Sequence, residues 1–345
     1  MRVLFLTIMD ENYSRTWTYY SSLKNSGVDC RYIKINPGSI LRDLRFAKRN
    51  NQNLRLVIVI GSASQLLTVP AVLFFRQKVF LDAGWSLFES TMVNSQRRGV
   101  LWKNVVKSYI IDFFASRFST KIFLESDNQA KWYRRIFLTK KKKCVTLYTG
   151  LDEIDFLPMK LEVGTKDKPF TVVFRGKDND EAGLEVLAKA THMLCNHEIN
   201  FIVLSQLKGG RAQFSSRTRV INDYFTSKGE LAGFLAQADL SLGQLSNHKR
   251  LRRTIPHKAY ESAFLGVPYL TARNKGILEI FKEDEEVFCF DPGSAEDLAM
   301  KISLLSVNKG LLENSAWNIR FKYERELNQK LLGKKLLEEL GLGGI

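Results

Sequence analysis

A lysine and a glutamate stand three residues apart in TIPHKAYESAFLGVPYL, which runs from Thr254 to Leu270. On a helix this spacing puts Lys258 and Glu261 on one face. Both fall at the start of the helical pattern, where the free backbone N–H groups attract anions. A phosphate beside Lys258 and hydroxyls beside Glu261 are therefore reasonable ligands; a solvated i,i+3 ion pair is the other reading. Gly266 suits a helix C-terminus and Pro268 cannot continue the helix, so the chain should re-enter as the strand VPYLTA. Two further groups could do chemistry. VVFRGKDNDEAGL, from Val172 to Leu184, sets Arg175 and Lys177 around Gly176 just after a strand-like run. KVFLDAGWS, from Lys78 to Ser86, sets Asp82 and Trp85 at the end of another. Open α/β sheets bind ligands beyond the carboxyl ends of their strands, which suits both.

The elements that must position these residues alternate along the chain. RVLFLTI, CRYIKI, RLVIVIG, KVFLDAG, KIFLES and CVTLYTG read as strands with helical patterns between several of them. FTVVFRG, NFIVLS, RVIND, ADLSLGQ, VPYLTA and EVFCF form a second series. Such alternation predicts βαβ units and parallel sheets, and 345 residues fit two domains of this kind better than one. Turn residues, acids, Gly and Pro between Thr149 and Phe170 put the linker near residues 158–169. The expected bounds are 1–160 and 165–319. The charged helical pattern SAWNIRFKYERELNQKLLGKKLLEEL is expected to carry residues 320–345 back onto the first domain.

Charge is uneven. Residues 1–150 hold 25 Lys and Arg against 9 Asp and Glu, whereas the rest hold 27 of each, so the net charge of +16 belongs to the first half. That asymmetry predicts an anionic partner for this half: an acidic membrane surface, a phosphorylated lipid or nucleic acid. Ser95 to Phe118 interleaves Arg and Lys with aromatic and aliphatic residues at helical spacing. It reads as an ordinary buried domain helix, although interfacial helices share the composition. Lys140 to Lys143 reads as a solvated basic loop. The four cysteines are widely spaced and the four histidines show no metal spacing, which leaves packed, reduced thiols and no metal site. MRVLFLTIMD reads as a buried strand and not a signal peptide. The longest later apolar run is half the length of a membrane span. The expected location is cytoplasmic, or peripheral on the inner face of the cytoplasmic membrane.

Taken together, these residues resemble the GT-B glycosyltransferases, most closely glycosyltransferase family 4. The resemblance rests on Gly150, Leu151, Asp152, Phe156 and Pro158 at the entry to the second domain. It rests equally on Pro256, Lys258, Glu261, Gly266 and Pro268, and on the loop and helix from Lys275 to Ile302. It implies an α/β fold of two Rossmann-like doubly wound domains facing across a cleft. It further implies transfer of a sugar from a nucleoside diphosphate sugar, with UDP or GDP favoured, to a hydroxyl of a glycan or polyprenyl-linked glycan in cell-surface polysaccharide or glycoconjugate synthesis. Retention of configuration is implied, with no metal and no cofactor beyond the donor substrate.

Carried over by residue, the resemblance implies that Glu261 bonds the ribose hydroxyls and that Lys258 lies near the diphosphate. Gly276 and Ile277 fit the donor-side loop, and Lys177 takes a phosphate-binding arginine position. Arg175, or Arg252 and Arg253 just before the Glu261 helix, could supply the second cation, because Ala182 stands where that cation is usual. Arg253 also replaces a glutamate common near the transferred sugar. Asp82 is the nearest candidate for the residue facing that sugar, and Asp82, Lys177 and Glu261 form the candidate catalytic set. Asp10, Asn12, Arg15 and Trp85 are the acceptor-side candidates. The departures at Ala182 and Arg253 keep a catalytically silent GT-B partner subunit open as a rival. A basic nucleic-acid binder lacks any reader motif, and a sugar-nucleotide epimerase lacks placeable acid–base carboxylates.

Overall fold

The computed structural model describes residues 2–9, 14–51, 53–61, 63–98, 102–158, 169–207, 212–222 and 227–343, with no side-chain description for residues 94–98. The chain divides into two compact units: Met1–Asp152 with Gln329–Ile345, and Glu153–Asn328. The expected linker falls largely on residues 159–168, outside the described residues.

In the first unit, β1 (Arg2–Thr7), β2 (Asp29–Lys34), β3 (Leu54–Ile60), β4 (Lys78–Gly84), β5 (Ile122–Leu124) and β6 (Cys144–Thr146) form one parallel sheet, in the order β2-β1-β3-β4-β5-β6. Unbroken apolar runs such as RLVIVI suit a sheet covered on both faces. Alternate residues then serve opposite layers. Val3, Phe5, Ile58 and Phe80 join one core cluster with Leu336 and Leu340 of the last helix, whereas Leu4, Leu6, Val59 and Leu81 join the other.

In the second unit, β7 (Phe170–Arg175), β8 (Ile199–Leu204), β9 (Thr218–Ile221), β10 (Leu240–Leu242), β11 (Tyr269–Ala272) and β12 (Phe288–Phe290) form a parallel sheet ordered β12-β11-β10-β7-β8-β9. Strand order reverses between β7 and β10. In doubly wound sheets that point opens a crevice at the carboxyl ends of the strands.

The long helical pattern near the C-terminus is not one helix. It runs as Lys309–Lys322, widens into a π turn at Tyr323–Leu327, breaks at Asn328 with ψ of 154°, and resumes as Gln329–Leu340. The break coincides with the boundary between units, so the last helix packs with the first unit while the helix before it belongs to the second.

Gly183 precedes the helix Leu184–Met193 with φ of +76°, and a Cβ there would lie 2.7 Å from the Ser246 amide nitrogen. Gly183→Ala is therefore expected to cost about 1–3 kcal/mol through backbone strain and crowding. Urea denaturation will measure it.

Candidate nucleotide site

The helix His257–Leu265 forms as the sequence suggests. Gly266 closes it at φ of +67°, and Val267 and Pro268 lead directly into β11. Pro256 at its N-cap offers no side-chain cap, so the N-terminal amides face the carboxyl ends of β7 and β10 without one. Lys258 and Glu261 both point inward, 7% and 2% exposed. The solvated ion pair is thereby excluded for this face.

Their partners come from far along the chain. Lys258 Nζ donates to the Gly243 carbonyl at 2.9 Å, just after β10, and sits 4.1 Å from the centroid of the Phe174 ring. Burial, and then the charge of Arg175, push the Lys258 pKa well below its ordinary value, with Glu261 partly opposing the shift. Glu261 accepts from Arg175 Nε at 3.0 Å, from a second Arg175 nitrogen, and from His257 Nδ1 at 2.8 Å. Burial alone would raise the Glu261 pKa, but Arg175 and His257 outweigh it and hold the carboxyl at about 2. Both oxygens of the carboxylate that the resemblance gives to ribose hydroxyls are thus already held by protein donors.

A cavity of about 170 Å³ opens at the strand-order reversal, and Arg175, Gly176, Lys177, His257 and Lys258 stand in its wall. A larger cavity, of about 540 Å³, lies over the ends of β10 and β11 and is lined by Arg252, Arg253, Asn274 and Lys275 among others. Gln244 lines both cavities. Its Oε1 is buried without a hydrogen-bond partner among the described residues, as is His257 Nε2. The two spaces therefore adjoin at an unsatisfied amide.

The donor-loop candidates divide here. Gly276 and Ile277 do not offer free amides, because Asn274 Oδ1 accepts from both at 2.8 and 2.9 Å. Gly276 is required by close approach: a Cβ there would lie 2.7 Å from the Arg253 carbonyl oxygen. These two residues shape the loop, and Asn274 and Lys275 meet the cavity instead. Ala182 is buried beside Glu181, whose carboxylate accepts from Arg250 Nε at 2.8 Å. Arg250 was not singled out in the sequence; the basic run KRLRR was its only signal.

In the first unit, Arg15 and Asp82 meet each other. Arg15 Nε lies 2.9 and 3.0 Å from the two Asp82 oxygens, and its Nη1 donates to the Leu147 carbonyl and to Thr149 Oγ1. Both side chains are buried. The pair ties the helix Ser14–Asn25 to the end of β4 and to the segment after β6; both Asp82 oxygens are held by Arg15, whose Nη2 is buried without a hydrogen-bond partner among the described residues. Trp85 is half-buried, its carbonyl accepting from Gln65 Nε2 at 3.0 Å. Asp10 and Asn12 lie outside the described residues. Among the described residues, no helix is long and apolar enough to cross a membrane.

Two six-stranded parallel sheets with helices, in two units, make this a GT-B architecture. Residues 159–320 match the family Glycosyl transferases group 1. No curated protein matches the chain. Among solved structures, HepE of Anabaena in complex with UDP and glucose superposes with a TM-score of 0.73 at 13% identity, over 99% of each chain. Sucrose-phosphate synthase of Thermosynechococcus elongatus gives 0.76 at 13% identity, over 98% of this chain and 97% of that one. A UDP-N-acetylglucosamine 2-epimerase gives 0.61 at 10% identity, over 99% of this chain and 95% of that one. The chain thus has the GT-B fold of glycosyltransferases, and its second unit carries the group 1 match.

Proposed function

We propose that the protein is a glycosyltransferase that takes a sugar from a UDP-sugar and passes it to a hydroxyl of a glycan or polyprenyl-linked glycan. The observation that carries this reading is the cation-lined cavity at the strand-order reversal, where Lys258, Arg175, Lys177 and an uncapped helix N-terminus converge. A diphosphate there would meet positive charge from three side chains and from the helix end. The larger adjoining cavity has room for the nucleoside, beside Arg253, Asn274 and Lys275. HepE, a protein of this fold, was crystallised with UDP and with UDP-glucose, which favours UDP over GDP.

In this reading Arg175 changes partner. It leaves Glu261 for the diphosphate, and the ribose hydroxyls replace it on the Glu261 carboxylate, which accepts from both. Arg175, in place of the cation missing at Ala182, then neutralises the leaving group together with Lys258. In the transfer, the acceptor oxygen bonds to the anomeric carbon as the bond from that carbon to the phosphate oxygen breaks. The acceptor proton passes to the leaving phosphate on the same face, giving retention. The chemistry needs no further cofactor. Because Asp82 is paired with Arg15, its role is to hold the end of β4 and not to take that proton.

Thermal unfolding with UDP, GDP, ADP, CMP and UDP-glucose tests the reading on wild type and on Arg175→Met. UDP at a hundred times its dissociation constant should stabilise wild type by about 2.7 kcal/mol, and the variant should respond less. If no nucleotide shifts wild type, the transferase reading fails and the silent-partner reading takes its place.

A further inference from the structure

The helix Trp102–Phe118 is apolar on two sides. Its inner side buries Val105, Ser108, Asp112, Ala115 and Ser116 and packs Tyr109 and Phe113 against the core. Trp102, Val106, Ile110, Phe114 and Phe118 recur every fourth residue on the exposed side, and each is at least 41% exposed. Asp112, its only acid, is buried, where it accepts from Ser86 Oγ at 2.7 Å and from the Phe88 amide at 2.9 Å. Lys103, Lys107 and Arg117 are exposed alongside the apolar stripe. The outer face of this helix is therefore apolar and cationic without an acid.

The same chemistry continues past the helix end. Arg117 donates to the carbonyls of Phe137 and Leu138 at 3.2 Å, and Lys143 Nζ donates back to the Arg117 carbonyl at 2.7 Å. These bonds fix the exposed Leu138 and Lys140–Lys142 at the tip of the stripe. Leu44 and Ala47 of the helix Ile40–Arg49, Ala71 of the helix Thr68–Phe74, and Ala115 all pack into one core cluster. The three helices thus cover the same face of the sheet and share an outer surface, to which the first two add exposed Leu41, Phe46 and Leu73 among four exposed cations, Arg42, Arg45, Lys48 and Arg49.

We infer that this outer helical face docks onto an anionic phospholipid bilayer. Apolar side chains flanked by Lys and Arg match the acyl boundary and the headgroup charge of such a surface together. A nucleic acid would satisfy the cations but offers no apolar phase for the stripe. An isologous dimer would bury the stripe but set Lys103, Lys107 and Arg117 against their own copies. The inference deepens the proposal of a lipid-linked acceptor and rests on that reading only for its purpose; the surface is read from the first unit alone.

Co-sedimentation of the full chain with phosphatidylcholine vesicles, with and without phosphatidylglycerol, tests it. Wild type should partition onto the anionic vesicles at least tenfold more than onto the neutral ones. Ile110→Ser with Phe114→Ser, and separately Lys141→Glu with Lys142→Glu, should each lower that partition at least tenfold. All four side chains are on the surface, and unchanged thermal unfolding will show that the variants fold. Equal binding to both vesicle types, or undiminished binding by both variants, overturns the inference. So does a wild-type dimer in sedimentation velocity that the serine variant disperses, since the stripe would then belong to a second copy. UDP stabilisation of the same variants keeps the two readings apart. A protein that binds vesicles but no nucleotide retains this surface and loses the transferase reading, and one that binds nucleotide but no anionic vesicle does the reverse.

Discussion

Glu261→Gln is expected to destabilise the protein by about 3 kcal/mol at neutral pH and to remove the part of its acid sensitivity between pH 4.5 and 2 that this carboxyl contributes. The carboxyl is buried, and burial by itself would push its pKa upward; Arg175 and His257 reverse the effect and bring it from the ordinary 4.5 to about 2. A folded pKa below the unfolded one means that the unfolded chain binds the proton more tightly. The stability this group contributes is thus fully present above pH 4.5 and is lost as pH falls toward 2. The size follows from the gap between the two values, at about 1.4 kcal/mol per pH unit. Glutamine keeps the shape and one acceptor but leaves the Arg175 charge without its counterion. Because the Arg175 side chain is one-fifth exposed, water recovers part of that loss, and the cost should sit at the low end of the roughly 3–5 kcal/mol seen when a buried pair is broken. Urea denaturation at pH 7, 5, 4 and 3 checks both the size and the sign. A double-mutant cycle with Arg175→Met should return a coupling above about 1 kcal/mol. A variant whose acid sensitivity matches wild type would show that Glu261 is not the group holding the site together.

The local parts of this site were legible in the sequence. The i,i+3 spacing of Lys258 and Glu261, the stop at Gly266 and the restart at Pro268 are short-range signals, and the helix and strand follow them. The strands were legible too, because parallel strands covered on both faces must be apolar throughout. What the residues hold onto was not legible. Arg175 and Glu261 are 86 positions apart, and nothing in either neighbourhood says that the arginine will occupy the carboxylate. The same limit applies to Asp82 and Arg15, 67 positions apart, whose mutual pairing neither local sequence announces. Asn274 caps the very amides that the resemblance gives to the ligand, a competition that only the folded loop displays.

The rotation of the helix Trp102–Phe118 was not legible for a different reason. It carries two stripes of period four, one apolar from Trp102 to Phe118 and one of small or polar residues at Asn104, Ser108, Asp112 and Ser116. Periodicity reports that a helix has two faces and not which one is packed. Convention puts the apolar stripe inside. Here Asp112 accepts from Ser86 Oγ and the Phe88 amide on the buried side, and Tyr109 and Phe113 pack against the core, so the stripe from Trp102 to Phe118 faces outward.

UDP binding is expected to draw a proton onto the protein, and Lys258 is the group that takes it. In the free protein Lys258 is surrounded by the Gly243 carbonyl, the Phe174 ring and the Arg175 charge. Burial first and Arg175 second depress its pKa, so a fraction of it is neutral at a pH where an exposed lysine is fully charged. A diphosphate in the cation-lined cavity adds negative charge close to the ammonium and pulls the pKa back up. The sign of the linkage follows. Binding should tighten as pH falls through the pKa of the complex toward that of the free protein, and then level off. Titration calorimetry in phosphate and in Tris buffers, which differ in their heats of ionisation, reads the proton directly. Lys258→Met should abolish the buffer dependence and weaken UDP binding about 10- to 100-fold, the equivalent of one charge-assisted contact of roughly 1.4–2.8 kcal/mol. The fold should tolerate the change, since an apolar side chain of similar length replaces a desolvated charge. Binding heats that are the same in both buffers, with an affinity that Lys258→Met leaves within twofold of wild type, would remove Lys258 from the phosphate site. The cations left to hold the diphosphate would then be Arg175 and Lys177, at the carboxyl end of β7.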